Sequence, residues 1–109
     1  VVAVFQRGPG DPWQRSNEIG AVDVNGSQFG ASVALSSTRL AVGAPAINAV
    51  VAFDVSAAPF VIANLVDGFA GSFGAAVALS DNTLVVGAPT ASPDGAGGFA
   101  GAGSVVSLP

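Results

Sequence analysis

Side chains able to do chemistry are few in this chain. Of its 109 residues, seven are Asp or Glu, three are Arg (Arg7, Arg15 and Arg39), and none is His, Cys, Met or Tyr. A serine or cysteine nucleophile activated by histidine is therefore excluded within the chain. The carboxylates are scattered one to a loop or strand, with no adjacent pair whose pKa values would split into an acid and a base. Asp23-Val24-Asn25-Gly26 has the look of part of a calcium loop, but it lacks the several carboxylates that calcium prefers, and an Asx-type turn fits it better. No helix pattern follows the glycine-rich stretch 95–103 to supply a phosphate site. The sequence predicts no catalysis, no cofactor and no metal.

Binding chemistry has three footholds. Asn25-Gly26-Ser27 is a sequon for N-glycosylation in a predicted surface loop. Trp13 has a face on which a sugar ring could stack, against the alternative that an aromatic at this position serves packing. Asp94-Gly95 offers a ligand contact or simply a flexible spacer. The net charge of −4 lacks the basic patch that nucleic acid requires. Gly, Pro, Ser and Asp interrupt every apolar run well short of the roughly 20 residues of a membrane span. The chain opens on a β-branched run rather than a signal peptide, as a mature or excised segment would. Charged residues make up 9% of it, against roughly 25% in ordinary soluble domains. Much of its surface is expected to be covered by further repeats, partner subunits or sugar.

The elements that carry these residues are organised by a repeat. Residues 29–45 (FGASVALSSTRLAVGAP) and 73–89 (FGAAVALSDNTLVVGAP) agree at 12 of 17 positions without a gap, at an offset of 44 residues. A period of this size marks a supersecondary unit stacked on itself. Each copy reads as two strands joined by a turn, at 36–38 and at 80–83, and Pro45 and Pro89 end the second strand because proline has no N–H to donate. Both faces of these strands are small or apolar, so the pattern predicts strands covered on both sides by neighbouring sheets. Gly43 and Gly87, inside the second strand, point to a close backbone approach or a bulge. Further strands are expected over 1–5, 13–19, 49–55, 60–66 and 104–108, with 90–103 a long Gly/Ala-rich loop. The fold class is all-β.

Phe29-Gly30 followed by Val42-Gly43-Ala44-Pro45, and Phe73-Gly74 followed by Val86-Gly87-Ala88-Pro89, resemble the FG-GAP repeat, which builds the β-propeller of integrin α-subunits and of many microbial surface proteins. The resemblance implies about two four-stranded antiparallel blades of a larger or oligomeric propeller. Residues 1–19 would be the third and fourth strands of a preceding blade, 20–66 a complete blade, and 67–109 a blade lacking its fourth strand. Its repeat core would be Phe29, Gly30, Gly43, Pro45, Phe73, Gly74, Gly87 and Pro89. The calcium cage that often fills the integrin hairpin is not matched: Ser36-Ser37-Thr38-Arg39 has no carboxylate and Ser80-Asp81-Asn82-Thr83 has one, so the hairpins are expected to bind no calcium.

One stretch departs from what a blade's outer strand needs. Residues 60–66 (FVIANLV) carry no charge, whereas 13–19 (WQRSNEI) are polar. An apolar edge strand associates with other chains unless something covers it. Phe60, Ile62 and Leu65 are therefore expected to form an assembly edge. The resulting expectation is a non-catalytic extracellular or cell-surface structural module packed against further FG-GAP repeats or identical subunits. The alternative is an adhesive module recognising a glycan or surface protein through its loops.

Overall fold

A computed structural model describes residues 2–19, 26–56, 61–68, 70–91 and 101–108, save the side chains of residues 17, 61, 63–65 and 67. Among these residues the chain is all-β, apart from one 3-10 turn over Pro45–Ile47 that begins where Pro45 ends its strand. Three small antiparallel sheets follow one another in sequence. Sheet A pairs β1 (Val2–Gln6) with β2 (Gln14–Ile19). Sheet B runs β3 (Ser32–Leu35), β4 (Arg39–Ala44), β5 (Ala49–Asp54) and β6 (Val61–Asp67) in that spatial order. Sheet C runs β7 (Ala76–Ser80), β8 (Thr83–Ala88) and β9 (Ala102–Ser107). Sheets B and C are meanders, blade-like units in which every strand pairs with its sequence neighbour, and sheet A is a single antiparallel pair.

The strands lie where the β-branched runs predict them, with shifts of one to three residues that have local causes. β3 and β7 begin three residues after Phe29 and Phe73 because a turn occupies those positions. Gly30 and Gly74 adopt φ of 98° and 99°, a conformation that side chains disfavour. Gln28 and Ser72, at one repeat position, are left-handed as well, with φ of 59° and 64°. Their carbonyls accept the N–H groups of Ala31 at 3.0 Å and Ala75 at 2.9 Å, closing the same turn twice. β6 continues to Asp67, so the strand carries one acid at its end.

Sheet B is the middle layer. Alternate residues of a strand point to opposite faces, and in β4 and β5 both sets are buried. Leu40, Val42, Val51 and Phe53 face sheet A, where they pack with Val2, Val4 and Ile19. Ala41, Val50 and Ala52 face sheet C, where they pack with Phe73, Leu84, Val86 and Leu108. The small residues on the second face let the sheets approach closely. Here the expectation of strands covered on both sides holds. It fails for the rest of the repeat: β3, β7, β8 and β9 alternate between covered and uncovered residues. The reason is position in the stack. Sheet C has one neighbouring sheet among the described residues, and β3 extends past the edge of the two-stranded sheet A.

Candidate functional site: the repeat motif and its uncovered surfaces

The two halves of the motif meet in each copy. The N–H of Gly30 donates to the Gly43 carbonyl at 3.0 Å, and that of Gly74 to the Gly87 carbonyl at 3.1 Å. Phe73 is buried between sheets B and C, while Phe29 is half-buried and meets Phe53 edge-on, with ring centroids 6.5 Å apart. Pro45 is buried and Pro89 exposed. Gly43 is held by contact with the next copy: a Cβ there would overlap the Gly74 carbonyl oxygen and the Ser32 hydroxyl. Ser32 Oγ donates to that carbonyl at 2.7 Å. Gly87 has no such neighbour, since a Cβ there would meet only Ala76, the nearest atom lying at 3.6 Å. The close approach expected at both glycines therefore exists at Gly43 and is absent at Gly87, because sheet C lacks a described sheet on its outer face.

Asn48 is a residue that the repeat pattern overlooked. It closes the 3-10 turn in the left-handed conformation, φ 55°, which Asn tolerates better than most residues. Its Oδ1 accepts the N–H of Phe73 at 3.2 Å and its carbonyl accepts that of Gly68 at 2.9 Å. One side chain thus joins the end of sheet B to the start of the second copy. The signal for it was an Asn between a proline-initiated turn and a strand. At the opposite end, Ser36 Oγ donates to the Asp81 carbonyl at 3.2 Å, linking the two hairpin turns.

The remaining polar groups make local structure. Asp54 Oδ1 accepts the hydroxyl of Ser56 at 2.6 Å and its N–H at 2.9 Å, and Arg39 Nη1 lies 3.4 Å from Oδ2. The two Ser56 bonds chiefly, aided by the Arg39 charge, hold this carboxyl below its ordinary value of 3.8. Arg15 and Glu18 pair at 3.0 Å on exposed β2. No three His, Cys, Asp or Glu side chains converge among the described residues, and none of their helices is long and apolar enough to cross a membrane.

Trp13 does not pack into the core. It is 62% exposed and carries the Arg7 guanidinium 4.8 Å from its ring centroid. A shallow hollow of about 460 Å³ lined by Arg7, Asp11 and Arg15 lies alongside. Of the expected assembly edge, Ile62 is half-exposed and pairs with Phe53 across β5 and β6, whereas Phe60 and the Leu65 side chain lie outside the described residues. So do Asp23, Asn25 and Asp94. A second apolar surface, absent from the sequence reading, is a groove of about 450 Å³ between β1 and β3, lined by Val2, Val4, Phe5, Val33, Leu35 and Leu40 among others. No protein-family model matches the chain, and no curated protein sequence matches it.

Proposed function

We propose that this chain is a non-catalytic structural module of FG-GAP-type blades that packs into a larger extracellular or cell-surface assembly. One observation carries the reading: the same repeat is buried on both faces where a sheet lies on either side of it, and left with apolar faces uncovered where none does. Val33, Leu35, Val85 and Val105 are all exposed, and stacked repeats bury such faces against neighbours. The half-exposed Ile62 on edge strand β6 adds a lateral surface of the same character. The FG-GAP resemblance supplies the propeller and the surface location, and the Asn25 sequon agrees with the latter. The partners in this reading are further repeats or identical subunits, with no role for nucleic acid or membrane insertion.

Light scattering of the purified chain across a concentration range tests this. The expected result is a mass that exceeds the monomer and grows with concentration, with Ile62→Lys weakening assembly. A folded monomer at every concentration contradicts it. The exposed Trp13 with Arg7 stacked on it favours a second reading, an adhesive module that takes a glycan, because an open aromatic face suits a sugar ring. Glycan binding that is lost in Trp13→Ala would establish that reading instead.

A further inference from the structure

We propose that the outer face of β7–β8 in one molecule docks into the groove between β1 and β3 of a second, so that copies of this chain add head to tail. The inference rests on the structural reading above and names the surfaces that would serve it. The two surfaces are matched inside the chain itself. Where sheet C sits on sheet B, Val77 and Leu79 of β7 are half-buried against the core that includes Ala34 and Ala41. Their counterparts 44 residues earlier, Val33 and Leu35, are 52% and 67% exposed and line the groove. The counterparts of Ala34 and Ala41 are Ala78 and Val85, and these are exposed on the outer face of sheet C. Each molecule therefore carries one half of the internal contact at each end, with both halves uncovered.

Glycine geometry gives the register. In the internal contact the Phe73-Gly74 turn lands on Gly43, the position that a Cβ would block. Gly87 repeats Gly43 with nothing upon it, and the Phe29-Gly30 turn repeats Phe73-Gly74 with the same left-handed glycine. Docking one molecule's Phe29-Gly30 turn on another's Gly87 reproduces the contact one repeat further on. The groove is also continuous with the interface between sheets A and B, sharing Val2, Val4 and Leu40 with that core. β1 has no partner but β2 among the described strands. On docking it falls at the strand position that β9 holds beside β8. β9 now pairs there over six residues and rests Ala102 and Val106 on the core, so the proposed contact exchanges β9 of one molecule for β1 of the next. Because the two surfaces differ, the contact is heterologous and leaves an open groove and an open face after each addition. Ala76 stands where Ser32 donates its hydroxyl in the internal contact, so the contact between molecules lacks that hydrogen bond.

Two variants test the proposal by light scattering. Leu35→Lys charges the groove, and Gly87→Val puts a side chain on the face. Both sites have room in the isolated molecule, and circular dichroism confirms folding. Val33→Lys and Val85→Lys repeat the pair at other positions should either of the first two fail to fold. Each variant alone should remain a monomer at concentrations where the unmodified chain assembles. Mixed one to one, they should form a species of twice the monomer mass, because each supplies the surface that the other lacks. Variants that assemble like the unmodified chain, or a mixture that stays monomeric, would overturn the contact while leaving the structural reading intact. An unmodified chain that is monomeric throughout would overturn both.

Discussion

Ala41 and Val85 stand at the same repeat position in two hairpins with nearly the same sequence. Ala41 has no exposed surface, and Val85 is open to solvent. The backbone around them is duplicated: the same turn, the same left-handed glycine and the same bond between the two motif halves. What differs is the neighbour. In β4 and β5 the middle sheet buries both sets of side chains, and in β8 the end sheet buries one. Burial here follows position in the stack, so one motif encodes a core strand in one copy and a docking face in the other.

Several substitutions would sharpen or break this contrast. The largest single loss is expected at the motif aromatics. Phe73→Ala should cost about 4 kcal/mol by urea denaturation, as for other buried phenylalanines, and Phe29→Ala about half of that because its ring is half-exposed. Next come the strand glycines. Gly43→Ala should cost about 3 kcal/mol by forcing the two sheets apart. Gly87→Ala should be neutral or stabilising by up to about 1 kcal/mol, since glycine within a strand carries that penalty. Equal losses at the two sites would mean that something already covers Gly87.

Smaller effects are expected where the copies are stitched together. Asn48→Gly keeps the left-handed turn but removes the acceptor for the Phe73 N–H, a loss of about 1 kcal/mol. Asn48→Ala should lose more, because alanine is strained at φ 55°. Ser32→Ala removes the bond to Gly74 and should also cost about 1 kcal/mol, making that position like Ala76 in the other copy. The smallest effect concerns pH. Asp54 has its folded pKa depressed by Ser56 and Arg39, so its contribution is present above its unfolded pKa of about 4 and is lost as pH falls through the folded value. The stability gap between the unmodified chain and Asp54→Asn should therefore close in acid, followed by thermal melts from pH 6 to pH 2.

Much of the architecture was legible in the sequence because each signal for it is local. Alternating apolar residues, turn chemistry and the 44-residue offset place the strands and the repeat. The offset did not reveal that Gly30 and Gly74 lie in a turn ahead of the strand, because alternation alone runs the strand back to Phe29 and Phe73. It could not separate Gly43 from Gly87, since their difference lies in a sheet that packs on one and not on the other. The exposure of Val33 and Leu35 was hidden for the same reason: their pattern matches that of Val77 and Leu79, which are covered. The sequence left Trp13 open between packing and sugar stacking, because an aromatic ahead of a strand carries no sign of whether a core lies beneath it. Asn48 escaped notice because its role depends on Phe73, 25 residues away.

The central claim is that the uncovered faces of the end copies are the surfaces that further repeats cover. Hydrogen exchange of the unmodified chain, followed by mass spectrometry from dilute to concentrated solution, tests it most directly. The account predicts that protection rises with concentration in β1, β3 and β8 and stays constant in β4 and β5, which are already enclosed. Exchange in β1, β3 and β8 that does not change with concentration would contradict it.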